Sequence, residues 1–253
     1  MLHISKLTKE AIKEIKLIVF DVDGVLVPRG TKIKQEGNTT TLETKRIHEK
    51  QIEQIKKLYE LGYYVDINSG RGLYMLQEMF REVMPFVSLT YENGSCSWYK
   101  GKLYQHVNSY EHLRHVLPKL QKVKHANIKG FEPKEFIITI HAHDRVPQIE
   151  EIMKTEDELY CIWNGEAYDI GIKEIQTKAI GLRNMMDVHN LKKENVLAIG
   201  DNYNDKEMMD CAGISVTADK TRVEGTYYVE LNGEKLPADV MMTQILKVNG
   251  AKI

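Results

Sequence analysis

Cysteine is scarce in this chain. Its three residues, Cys96, Cys161 and Cys211, lie far apart and form no CxxC pair. That excludes a disulfide framework and a cysteine-built zinc site, and it fits a reducing compartment. A charge excess of either sign is also missing: 35 Lys and Arg stand against 36 Asp and Glu, for a formal net charge of -1. So balanced a chain carries no electrostatic footprint for nucleic acid or an anionic membrane. The lysines between Lys119 and Lys129 read as one wet helix face and a loop. No apolar run nears the roughly 18 residues that span a bilayer. The opening MLHISKLTKEAIKEIK is charged throughout and lacks the apolar centre of a secretory signal. Internal repeats and low-complexity tracts are absent. The expectation is a cytoplasmic protein, monomer or homodimer, with neither nucleic acid nor membrane as partner.

What is present is ordinary globular material: 253 residues, 42% hydrophobic and 28% charged, enough for one large domain or two modest ones. Residues 8 to 16 read as a short polar helix leading into the strand Leu17–Phe20. The polar stretch 28–41 reads as a loop or small hairpin. Ile47, Ile52, Ile55, Leu58 and Leu61 then recur at helical spacing until Gly62. The strand YYVDI follows, then a helix from about Leu73 to Val83 and the strand FVSLT. Strand and helix alternate as in a parallel sheet with right-handed crossovers. After YENG the rhythm changes. SCSWYKGKLYQHV reads as a hairpin, followed by a helix near 110–125, the strand EFIITIHA, a helix near 146–154, and the strands LYCIW and AYDIGI. The alternation returns with a helix over Thr177–Val188, the strand NVLAIG and a helix at 204–211. The reading is α/β: a Rossmann-like parallel-sheet core, residues 1–93 and 172–253, with an inserted α+β cap, residues 94–171.

Four clusters stand where strands end, which is where open α/β sheets bind ligands. They are Asp21-Val22-Asp23-Gly24, Ser69-Gly70-Arg71, Lys178 at a helix start, and GDNYND with Asp201, Asn204 and Asp205. Singly, each is an acidic turn, a helix cap or a surface lysine. Jointly they are chemically complete. Grouped carboxylates form an oxygen-rich cage suited to Mg²⁺. A hydroxyl and backbone amides at a helix start, with a lysine, cradle a phosphoryl group. One carboxylate left to attack gives an aspartyl phosphate.

In order and spacing these clusters resemble the four motifs of the haloacid dehalogenase-like hydrolase superfamily. YENGSCSWYKGKLY and DIGIKEIQTKAIGL resemble the segments by which the Cof-type sugar phosphatases enter and leave their cap. The resemblance implies that Asp21 is the nucleophile and Asp23 the acid and base. It implies that Asp21, Asp201 and the backbone carbonyl of Asp23 hold Mg²⁺, with Asp205 on the metal or beside it. Ser69, Gly70, Lys178 and Asn204 would then hold the phosphate. Lys178 is preferred over Lys173 for its place at the helix start. Asp66 sits inside a strand, where a partly exposed position is expected.

In the inserted module Trp98, Tyr99, His141, His143 and Trp163 are candidate readers of the leaving group. His141 and His143 alternate along a strand and are expected on one side. Arg71 and Asn93 are further candidates for substrate contact. The resulting expectation is a Mg²⁺-dependent phosphatase of a small phosphorylated metabolite, such as a sugar phosphate. A phosphomutase of the phosphomannomutase type is the alternative, although the insert carries only Arg114 and Arg145 to rebind a bisphosphate. A non-catalytic regulator that binds phosphorylated ligands is a further one, and it would not need Asp23.

Overall fold

The computed structural model describes residues 1–230 and 235–251, and within them the chain divides into two compact units. The first comprises Met1–Arg29, Lys45–His106 and the chain from Thr177 on; the second comprises Gly30–Thr44 and Val107–Gln176.

The first unit is built on a nine-stranded sheet. Its order is Leu2–His3, Tyr227–Tyr228, Ile214–Thr217, Val196–Gly200, Leu17–Phe20, Tyr64–Asn68, Val87–Tyr91, Cys96–Tyr99 and Lys102–Gln105. The first seven pair in parallel, and the last two close the edge as an antiparallel hairpin. Leu17, Ile18, Val19 and Phe20 are all fully buried, which is why this strand reads as an unbroken oily run. The helix Glu49–Glu60 buries Ile55 and Leu58, and the helix Lys178–Val188 buries Ala179, Leu182 and Met185.

The second unit has a four-stranded antiparallel sheet in the order Leu159–Trp163, Ala167–Ile172, Ile138–Ala142 and Ile128–Glu132. Ile138, Ile140, Tyr168 and Ile170 pack there with Leu113, Val116, Leu120 and Ile149 from its helices. The hairpin Lys32–Glu36 with Thr39–Glu43 belongs to this unit as well. Gly130 makes room for it: a Cβ there would stand 3.3 Å from the Ile33 side chain.

Several local expectations change. The hairpin Cys96–Gln105, expected to open the insert, pairs instead with Val87–Tyr91 in the first unit, so Trp98 and Tyr99 belong to the core sheet. Its alternation places Ser97 beside Thr90, where the two hydroxyls bond at 2.8 Å. Residues 9–14 form turns rather than a helix, pinned by the buried Ile12 and Ile15. The helix expected near 110–125 is two short ones, Tyr110–Leu113 and Leu117–Gln121, with Pro118 in the first turn of the second. Asp66 is fully buried rather than partly exposed.

Candidate active site

Three adjacent parallel strands deliver the site. Ile199 lies beside Phe20, and Phe20 beside Ile67, so the chain emerges from all three at one edge of the sheet. Asp201 and Ser69 are the first residues past their strands, and so is Asp21, whose amide donates to the Ile199 carbonyl at 3.1 Å. The segment after Asp21 is a tight knot. Leu26 and Val27 donate to the Val22 carbonyl, and Gly24 donates to that of Val27 at 2.8 Å. Val22, Val25 and Leu26 are fully buried beneath it. Asp21 is held rigidly, 5% exposed, while the Asp23 side chain keeps 35% exposure.

Lys178 comes from a distant part of the chain. Thr177 caps its helix, the Thr177 hydroxyl accepting from the Ile180 amide, and Asn68 Nδ2 donates to the Lys178 carbonyl at 2.9 Å. That fixes where the side chain starts. Its Nζ, 2% exposed, donates to Asp21 Oδ1 and to Asp205 Oδ1, each at 2.5 Å. Asp205 Oδ2 accepts from the amides of Asp201 and Asn202, both at 3.0 Å, so Asp205 clamps its own loop as well as the lysine. Lys173, in the second unit, donates to the Asp157 carbonyl.

Two arginines complete the cluster. Arg71 grips Asp23 with a two-bond fork, Nε to Oδ2 at 2.8 Å and Nη2 to Oδ1 at 2.7 Å. Arg29 donates to Asp201 Oδ2 from Nη2 at 2.5 Å and Nε at 3.1 Å. The Ser69 hydroxyl accepts from the Arg71 amide at 3.2 Å. The loop 69–71 is braced by the next turn, Asn93 donating to the Ser69 carbonyl and Glu92 to that of Arg71, both at 3.1 Å.

Burial sets the electrostatics. It pushes the Asp21 carboxyl well above its ordinary range, Asp205 and Asp201 push the same way, and Lys178 opposes them. Asp201 is raised too, by burial first, with Arg29 working against the shift. Burial disfavours the charge on Lys178, yet the two carboxylates it bridges raise its pKa above the ordinary lysine value. The proton therefore stays on Lys178. Asp21, Asp201 and Asp205 each present an oxygen within 4.8 Å of the others. All-oxygen donors, buried and mutually repelling, fit a hard divalent cation.

Asn204, between Asp201 and Asp205 in the chain, is exposed. In the second unit His141 is buried with Nε2 2.8 Å from Glu132 Oε2. His143 lies past the strand end and is exposed; a register shift between His141 and Ala142 breaks the alternation that would have kept the two on one side. Trp163 packs against the second unit's apolar core. Arg29 was not singled out from the sequence. Its only signal is its place in PRG, just past the acidic segment.

A family model described as haloacid dehalogenase-like hydrolase matches residues 18–129 and 98–224. A phosphoglycolate phosphatase from Sulfolobus acidocaldarius is 25% identical over 80% of this chain and 82% of its own. Among solved structures, a haloalkanoate-superfamily phosphatase from Bacteroides thetaiotaomicron aligns with a TM-score of 0.66 and 18% identity over 93% of this chain and 95% of that one. A sugar phosphatase of subclass IIB aligns with a TM-score of 0.63 and 18% identity, over 93% of this chain and 99% of that one.

Proposed function

Because this chain belongs to the haloacid dehalogenase-like hydrolase family, on its Cof-type branch, we propose that it is a Mg²⁺-dependent phosphatase of a small phosphorylated metabolite. A sugar phosphate is the leading substrate class, in keeping with the sugar phosphatase whose fold it shares. The observation that carries this reading is Lys178, buried between Asp21 and Asp205 with Asp201 alongside.

Asp21 attacks phosphorus, the bond to the ester oxygen breaks, and Asp23, protonated once it leaves the Arg71 fork, hands its proton to the departing oxygen. Water then attacks the phosphorus of the aspartyl phosphate and gives a proton to Asp23, so that inorganic phosphate leaves and Asp21 is restored. Ser69, the Gly70 amide and Lys178 hold the non-bridging oxygens, with Asn204 a further candidate. Mg²⁺ would be held by Asp21, Asp201 and the backbone carbonyl of Asp23, with Asp205 beside it, and when bound it offsets the charge of carboxylate and phosphate alike. Phosphate monoesters hydrolyse so slowly unaided that these groups must lower the barrier by well over about 15 kcal/mol. Asn93 and Arg71, and His141 and His143 of the second unit, are the candidates for reading the leaving group. A cytoplasmic location and a monomeric or homodimeric state belong to the same proposal. No helix among the described residues is long and apolar enough to cross a membrane.

The charge of the insert favours hydrolysis over the mutase alternative. Arg114 and Arg145 are both exposed, and each is paired at 2.8 Å, with Glu111 and Glu150. Neither is set aside for a second phosphate. In a p-nitrophenyl phosphate assay with Mg²⁺, Asp21→Asn should reduce turnover at least about a thousandfold with the circular dichroism spectrum unchanged. Full activity in that variant would refute Asp21 as nucleophile.

A further inference from the structure

Each carboxylate of the acidic cluster already has a cation supplied by the chain. Lys178 serves Asp21 and Asp205, Arg71 serves Asp23, and Arg29 serves Asp201. Four carboxylates therefore face three cationic side chains. Lys178 and Arg71 are nearly enclosed, whereas the Arg29 side chain is 36% exposed.

Arg29 also meets Asp201 in an unusual way. Both of its bonds converge on Oδ2, and no hydrogen bond is found on Oδ1 among the described residues. Space around Oδ2 is short: a Cβ on Gly24, where φ is +84, would stand 2.1 Å from it and 3.1 Å from Arg29 Nε. The guanidinium thus sits hard against a candidate metal ligand. A fixed positive charge at that distance repels an incoming divalent cation, and burial strengthens the repulsion.

We propose that Arg29 is a built-in counter-ion that competes with Mg²⁺ for Asp201, so that metal loading displaces the guanidinium and Arg29 sets the affinity of the site. This rests on the reading of Asp201 as a Mg²⁺ ligand. Arg29 is a positioning residue in this scheme: it keeps the carboxylates compatible before loading and keeps the site from holding metal too tightly.

Isothermal titration of the whole protein with Mg²⁺ alone, without substrate, tests the proposal. Arg29→Ala and Arg29→Gln should both tighten Mg²⁺ binding about tenfold, because both remove the charge. Arg29→Lys, which keeps it, should stay within about threefold of the parent. In chelator the Ala and Gln variants should melt below the parent, and added Mg²⁺ should close the gap. Unchanged or weaker Mg²⁺ binding in both neutral variants overturns the proposal, as does a melting deficit of equal size with and without metal. Asp201→Asn separates the two readings. If it leaves Mg²⁺ binding intact, the assignment of Asp201 fails before any Arg29 variant is measured. If it abolishes binding while the neutral Arg29 variants bind like the parent, the competition alone fails.

Discussion

Asp66 shows how one residue escapes a sequence-level reading. An aspartate in a strand suggests a wet position, yet Asp66 is fully buried on Tyr64–Asn68. Oδ1 accepts from the Ser88 hydroxyl at 2.6 Å and from Thr90 at 3.1 Å, while Oδ2 has no partner. Burial pushes the carboxyl up to about 7 against these two bonds, and no charged group takes part. Raising the pKa of an acid in the folded state penalises its ionised form. The penalty is absent below the unfolded value near 4, grows as pH rises, and is complete above about 7. Asp66→Asn keeps the acceptor and removes the charge. Its stability advantage over the parent should grow by about 3 kcal/mol between pH 5 and pH 8. Urea unfolding at the two pH values decides the matter, and parallel pH profiles for parent and variant would refute the account. No periodicity announces such a site, because the hydroxyls that hold Asp66 belong to another strand.

Among elements, the helix Lys178–Val188 depends most on its surroundings. Its start is set by the Thr177 cap, by Asn68 on the Lys178 carbonyl, and by the close approach of Gly94. Gly94 follows Glu92 and Asn93 in a run of three left-handed residues, with φ of 49°, 55° and 80°. A Cβ on Gly94 would stand 2.2 Å from the Thr177 carbonyl oxygen. The chain passes too close there for any side chain, quite apart from the backbone strain. Gly94→Ala should destabilise the first unit by at least about 2 kcal/mol, seen as a lower denaturation midpoint. Phosphate release should fall with it, since the displaced element carries Lys178. A midpoint and rate equal to the parent's would sink this link. The neighbouring hairpin Cys96–Gln105 teaches a related lesson. Its strands and turn were readable locally, but its partner Val87–Tyr91 was settled by cross-strand bonds such as Thr90 to Ser97.

The whole molecule is two compact units, each with its own sheet, and the chain passes from one to the other and back more than once. The second unit takes Gly30–Thr44 as well as Val107–Gln176, so its hairpin precedes the rest of it by more than sixty residues. At this scale the acidic cluster becomes a stability term. A ligand that binds only the folded state adds about 2.7 kcal/mol at a hundredfold excess over its Kd. Mg²⁺ at that excess should therefore raise the melting temperature by several degrees, on the order of 5–10 °C for a protein of this size. Calorimetric scans with Mg²⁺ and with chelator measure it, and identical scans would contradict a metal site at Asp21 and Asp201.

The sequence by itself determined the class of fold, through continuous oily strands alternating with helical spacing, and it marked Asp21, Asp201, Ser69 and Lys178 as strand-end or helix-start residues. These are local properties, written in neighbouring letters. Only the tertiary structure decided that Lys178 bridges Asp21 and Asp205, that Arg71 grips Asp23, that Arg29 sits on Asp201, and that Asp66 is buried. Each of these depends on which strands lie side by side. Arg29 and Asp201 are 172 residues apart in the chain, and no local pattern carries information over that distance.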